Sequence, residues 1–233
     1  MAFDLDKVDP EIVCRALEPL LVDGRRERID ATIDARLGGL ALLIENLHDP
    51  HNGAAVLRSA EAFGLQTVHV VEAGEKFRFS SDVSQGCEKW LDIERHPTFA
   101  AARARLHAAG FVLYAAVPDA TLSLGDLDFS RPAAIVVGNE HAGLSDAARA
   151  GADSCFAIPM AGMTRSLNLS VAAALIAFHA AQARRGCLGK QGDLDDDARL
   201  RLRARFFAGS VRGAAEVVSR YLASVPPPLP PGP

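Results

Sequence analysis

The residues of this 233-residue chain best suited to chemistry gather in three short polar stretches, each just beyond an apolar run. The first is Asn46-Leu47-His48-Asp49-Pro50-His51-Asn52, with Arg58 and Glu61 following at six and nine residues beyond Asn52. The second is Gly138-Asn139-Glu140-His141-Ala142-Gly143-Leu144-Ser145. The third is Ile158-Pro159-Met160-Ala161-Gly162-Met163-Thr164-Arg165-Ser166-Leu167-Asn168. Guanidinium, carboxylate, amide and hydroxyl groups of this kind can bind a charged or polar ligand through hydrogen bonds. The glycines between them let backbone N–H groups come close to a ligand.

Simpler chemistries fit these stretches less well. The glycines of the second are spaced like those of a phosphate loop, but Leu144 stands where the loop needs its lysine, which argues against nucleotide hydrolysis. His48 and His51 flank a proline that favours an extended loop, and no third ligand has helpful spacing, so they read as hydrogen-bonding residues and no metal is expected. Ser166 and Asn168 sit where a helix should begin, and capping accounts for Ser166 as well as catalysis does.

Short apolar runs alternating with helix-like segments must position these loops. The pattern predicts helices at 10–21 and 25–37, a strand at 40–45, a helix at 53–63, a strand at 67–72, a helix at 97–110, and strands at 111–117 and 133–138. A long Ala-rich helix is predicted after Ser166. Strands of this kind imply an α/β fold, a mostly parallel sheet with helices on both faces, and ligands at the carboxyl ends of its strands. Four domains are expected: an N-terminal helical extension (1–36), a core (37–186), a C-terminal helical extension (187–224) and a Pro-rich tail (225–233).

Composition is that of a soluble globular chain, with 49% hydrophobic and 23% charged residues and no apolar run near bilayer length. The acidic first ten residues do not look like a secretory signal, and the scattered Cys14, Cys87, Cys155 and Cys187 suit a reducing compartment, so a cytoplasmic chain without membrane partners is expected. The net charge of −4 hides a gradient, because residues 182–233 hold nine Lys/Arg against five Asp/Glu. Arg184, Arg185, Lys190 and the run Arg199, Arg201, Arg203, Arg205 are candidates for contacting a phosphate backbone, the alternative being a solvated helix face.

Together the three stretches, HDPHN with Arg58 and Glu61, VVGNEHAGLS, and IPMAGMTRSLNLSVAAA, resemble the ordered motifs of the SPOUT RNA methyltransferases, SpoU or TrmH branch. The resemblance spans roughly residues 25–185, and the Lys89-Trp90 pair is similar to that of the TrmH tRNA guanosine ribose methyltransferases. It implies a C-terminal deep trefoil knot, an exception to the rule against knots. It implies S-adenosylmethionine as cofactor, held largely by backbone at Ala116, Gly138, Ile158 and Leu167 with Met160 beside them. It further implies a homodimer whose sites draw on both subunits, with the Ala-rich helix as candidate interface, and 2'-O-methylation of RNA, most specifically of a D-loop guanosine in tRNA.

The residues carried over as catalytic are Asn52, Arg58, Glu140, Ser166 and Asn168. Arg58 matches the arginine assigned to proton transfer, although a guanidinium holds its proton tenaciously, and gripping the phosphate beside the target ribose, with Asn52 and Ser166 holding the guanidinium and hydroxyl, is the alternative role. Glu140 and Asn168 complete the polar shell, with bracing of the loops as their simpler role. Arg25, Arg26 and Arg28 at one end and Arg201, Arg203 and Arg205 at the other are the expected RNA contacts. Arg165 and the Pro-rich tail depart from the minimal pattern, leaving another tRNA position, rRNA, or a non-catalytic RNA-binding protein as alternatives.

Overall fold

In the computed structural model, residues 4–72, 86–139 and 142–224 are described. The chain forms two compact units, one from residues 1–34 with 194–233 and one spanning Ala35–Asp193.

The chain opens with α1 (Pro10–Leu17) and α2 (Arg25–Asp34). Asp9 caps α1, accepting from the Glu11 N–H at 2.8 Å, and Pro10 takes the first helical position, where its missing N–H costs nothing. The helix expected at 10–21 stops short because Pro19 is incompatible with its continuation, and a 3-10 turn, Glu18–Leu20, replaces the rest. The second expected helix also ends early. Leu37 instead joins the sheet, its N–H bonding the Gly64 carbonyl at 2.8 Å.

The second unit contains β1 (Leu37–Glu45), α3 (Pro50–Phe63), β2 (Leu65–Val71), β3 (Asp92–His96), α4 (Phe99–Ala108), β4 (Val112–Ala116), β5 (Leu122–Ser123), β6 (Ala133–Val137), α5 (Asp146–Gly151), β7 (Ser154–Ala157) and α6 (Leu169–Leu188). Its strands run in the order β3-β2-β1-β6-β4-β7-β5, and every paired neighbour is parallel. Leu40, Leu42, Ile44, Val68 and Val70 pack on one face with residues of α3 and α6. Ala41, Leu43, Val71 and Val136 pack on the other with residues of α4 and α5. Burial on both faces explains why the central strands read as unbroken apolar runs rather than alternating ones. The chain closes with α7 (Asp196–Ser210) and α8 (Ala214–Ser224), which belong with α1 and α2 in the first unit.

The sheet unit extends to Asp193, beyond the expected limit at 186, and buried arginines show why. Arg184 is almost fully buried and donates from Nε to Asp193 at 2.6 Å and from Nη1 to the Phe129 carbonyl at 3.2 Å. Asp193 in turn accepts from the Gly39 N–H at 3.2 Å, and a side chain at Gly39 would overlap both charged groups. Arg36, also fully buried, ties β1 to α3 and β2 through Glu61 at 2.9 Å and the Leu65 carbonyl at 3.1 Å. Arg185 donates to the Ala35 and Phe63 carbonyls, both at 3.1 Å. The reading of Arg184 and Arg185 as phosphate contacts is therefore corrected: their guanidiniums are spent on internal acceptors. Their charge belongs to the fold.

Replacing Arg184 with Met should cost about 3–5 kcal/mol in chemical denaturation, because it strands the Asp193 carboxylate without its main partner. The double variant Arg184→Met/Asp193→Asn should recover much of that loss, and a single variant as stable as the parent would show that the pair contributes little.

Candidate active site

The carboxyl edge of the sheet is where the three polar stretches converge. The first is only partly a loop. Asp49 caps α3, accepting from the His51 N–H at 2.8 Å, and Pro50 occupies the first helical turn, so His48 stays in the loop while the extended conformation expected at His51 is replaced by a helix start. Just before it, Asn46 adopts a left-handed backbone with φ +52°, uncommon for a non-glycine residue and frequent at functional sites.

The second stretch folds back on itself. Asn139 and Gly143 exchange backbone hydrogen bonds at 3.0 and 2.9 Å, and the Asn139 side chain accepts from the Ala142 N–H at 3.0 Å while donating to the Asn46 carbonyl at 2.8 Å. A Cβ on Gly138 would lie 2.3 Å from the Gly143 carbonyl carbon and 2.5 Å from the Leu144 nitrogen, so only glycine permits this turn. Glu45, buried at the end of β1, accepts from the Ser145 N–H at 2.8 Å and hydroxyl at 2.7 Å. Ser145 also caps α5. Glu45 was not singled out from the sequence, where an acidic residue closing an apolar run looks like an ordinary strand end. Glu140 and His141 lie outside the described residues.

The third stretch enters α6 with Asn168, not Ser166, as the cap. Its Oδ1 accepts from the Ser170 N–H at 2.8 Å and hydroxyl at 2.6 Å, and its Nδ2 donates to Asn52 Oδ1 at 3.2 Å. That bond joins the first and third stretches. Ser166 is relieved of capping and lines a cavity of about 530 Å3, within the range of small-molecule sites.

The cavity gathers all five expected cofactor-binding residues, Ala116, Gly138, Ile158, Met160 and Leu167, together with Ser166. Arg149, Arg165, Asp146, Phe156 and Ile176 also line it, and of these only Arg165 had drawn notice in the sequence. The wall offers backbone groups from close-packed glycine loops, apolar surface, and charges of both signs. Such a wall fits a flat heterocycle joined to a charged chain.

Arg58 stands elsewhere. It is exposed on α3, does not line the cavity and has no ion pair among the described residues. Because Asn52 already lies in the helix, Arg58 sits about 9 Å further along the axis and about 120° around it, so the expected Asn52 grip on its guanidinium is not found. Burial pushes the Cys14 and Cys87 thiols up to about 11, which leaves both protonated at neutral pH and poor nucleophiles.

The arginines expected to contact RNA lie in the helical unit. Arg26 pairs with Glu18 at 2.6 Å, Arg203 with Asp30 at 2.8 Å, and Arg199 with Asp34, while Arg25 donates to the Ser210 hydroxyl at 3.3 Å. Arg205 is partly buried, its guanidinium 5.8 Å from the Phe206 ring centre. Arg28 and Arg201 are exposed. Residues two apart on a helix diverge by about 200°, so the run on α7 divides between an acid-paired face at 199 and 203 and another at 201 and 205. It is not one continuous basic stripe.

The SpoU rRNA Methylase family profile matches residues 39–178. A tRNA (guanosine(18)-2'-O)-methyltransferase of Thermus thermophilus is 37% identical over 163 residues, 70% of this chain and 84% of the relative. The crystal structure of the A. aeolicus TrmH/SpoU tRNA modifying enzyme superposes with a TM-score of 0.73 at 27% identity, covering 84% of this chain and 98% of that one. The SpoU methyltransferase AviRb from Streptomyces viridochromogenes, in complex with AdoMet, superposes with a TM-score of 0.59 at 29% identity over 66% of this chain and 62% of that one. With the second and third motif loops lining one cavity on a parallel sheet, the first tied to them through Asn46 and Asn52, and this similarity across most of its length, the chain belongs to the SpoU methylase family.

Proposed function

We propose that this protein transfers a methyl group from S-adenosylmethionine to the ribose 2'-hydroxyl of a guanosine in the D loop of tRNA. The observation that carries the proposal is the convergence of Ala116, Gly138, Gly143, Ile158, Ser166 and Leu167 on one cavity, with Gly138 held so close to Gly143 and Leu144 that no side chain fits. When bound, S-adenosylmethionine supplies an electrophilic methyl on a positively charged sulfur. Ala116, Gly138, Ile158, Met160 and Leu167 would hold it, and it would supply that methyl to the 2'-oxygen, its sulfur leaving as a neutral thioether while the hydroxyl proton passes to solvent.

The protein's share of this displacement is alignment and proton handling. Ser166, at the cavity wall, is placed to hold the ribose hydroxyl. Asn168 fixes the third loop against the first through Asn52. Arg58 grips the phosphate beside the target ribose, a role that suits a permanently charged fork-shaped donor better than that of a base. Glu140 is proposed to brace this polar shell.

Separation of Arg58 from the cavity supports a site completed by a second subunit. So does α6, where Val171, Leu175 and Phe178 are each nearly half exposed at spacings of four and three, an apolar stripe facing outward. Met163, on the third loop, is fully exposed. We take the protein to be a homodimer through α6 and the third loop, knotted there as its family resemblance implies, and to work in the cytoplasm. The helical unit, through Arg25, Arg26, Arg28, Arg201, Arg203 and Arg205, would supply phosphate contacts to the tRNA. No helix among the described residues is long and apolar enough to cross a membrane.

Incubation with labelled S-adenosylmethionine and unmodified tRNA, followed by nucleoside analysis, should show 2'-O-methylguanosine. Label confined to rRNA would move the substrate, and cofactor binding without transfer to either RNA would favour a binding protein. Arg58→Ala and Ser166→Ala should each lower kcat at least about 100-fold while leaving cofactor affinity, measured by calorimetry, near the parent value for Arg58→Ala. Mixed after dissociation, the two inactive variants should regain activity if each site draws on both subunits, whereas Leu175→Glu/Phe178→Glu should yield an inactive monomer by light scattering. Arg28→Gln/Arg201→Gln should reduce the slope of log affinity against log salt by about 1 to 2. An unchanged slope would assign these arginines to a merely solvated face.

A further inference from the structure

A cluster that shares no residue with the methyl-transfer site lies across β2 and β3. In their parallel register His69 faces Glu94 and Val71 faces His96, so the three polar side chains emerge on one face of the sheet. His69 Nδ1 lies 2.9 Å from His96 Nε2 and 3.7 Å from Glu94 Oε2, and the ligand atoms of all three residues lie within 4.8 Å of one another. Two imidazoles and a carboxylate gathered within 4.8 Å of one another, from the backbones of two paired strands rather than from loops, form a preorganised donor set.

We infer that His69, Glu94 and His96 bind a late first-row divalent cation, zinc foremost, cross-linking edge strand β3 to β2. Zinc bonds of about 2.0–2.1 Å in tetrahedral geometry place ligand atoms about 3.3 Å apart, and the distances found here straddle that value. Imidazole with carboxylate suits zinc, leaving one position for water.

Protonation also favours binding. Burial lowers His69, to about 4, and lowers His96 as well, the direction that favours the neutral rings a cation requires. In the metal-free protein one of the facing nitrogens must carry a proton shared with the other. Metal binding needs that ring to take its other tautomer, not to lose a proton. Glu94 is partly exposed and gives the ion a way in. The opposing charge is Arg105 of α4, whose Nε lies 3.3 Å from Glu94 Oε2. This arginine competes with the cation for the carboxylate and sets the affinity below that of an uncontested site.

The test is titration of chelator-treated, full-length protein with Co(II), read by its visible absorption, and with Zn(II), read by calorimetry. One ion per chain should bind to the parent protein, with a rise in Tm. That binding should be lost in His96→Ala, weakened in Glu94→Gln and strengthened in Arg105→Gln, each variant first shown to be folded by circular dichroism. His96 is the chosen ligand because His69 is buried and its removal threatens the fold. Equal binding by the parent and His96→Ala would assign the ion to other groups, including the free cysteines, and overturn the inference. Absence of binding to the parent would overturn it too, leaving the cluster as a hydrogen-bonded pair of histidines beside a salt bridge. Neither result bears on methyl transfer.

Discussion

The constraint on which the cavity depends is the backbone contact between the end of β6 and the loop that follows it. Gly138 lies against the Gly143 and Leu144 backbone with no room for a single carbon. The fold-back lets Asn139 bond to the Ala142 and Gly143 backbone of its own turn and to the Asn46 carbonyl, and it brings Ser145 onto the buried Glu45 carboxylate. A charge buried at a strand end is expensive unless fully bonded, so Glu45 pins the loop as firmly as the loop satisfies Glu45. The cavity wall is thus built from backbone whose position is set by packing and not by side-chain flexibility.

At the opposite end of the strands, a second set of charges, two of them buried, does a mechanical task. Arg36, Arg184 and Arg185 satisfy carbonyls and carboxylates at the entry to the sheet, while the carboxyl edge carries the polar loops. The two edges of one sheet thereby divide the work. One is closed by arginines directed inward, and the other is left open for a ligand, as expected where strands end and helices begin.

The helical unit shows a similar economy of charge. Asp34 and Asp30 of α2 pair with Arg199 and Arg203 of the arginine-rich α7, and Glu18 pairs with Arg26 of α2, so the apparent basic run contributes fewer outward charges than its composition suggests. Net charge near the C-terminus is a poor measure of phosphate affinity when half the cations already have partners within their own unit. Phosphate recognition would then rest on a few exposed positions such as Arg28 and Arg201 and on partners exchanged upon binding.

Much of the molecule was legible in one dimension. Apolar runs declare strands, because a parallel sheet buries both faces of each; Asp49-Pro50 and Gly64 bracket α3 by local capping chemistry; the three motif loops announce a shared site. What sequence could not determine depends on groups far apart in the chain. Whether Arg184 faces water or Asp193, whether Ser166 or Asn168 caps α6, whether Arg203 meets a phosphate or Asp30, and whether His69 meets His96 are decided by which backbone segments pack together. Residue type sets what a side chain can bond, which a sequence displays directly. Which partner it finds depends on strand order and helix register, and these follow from burial summed over the whole fold rather than from any local stretch.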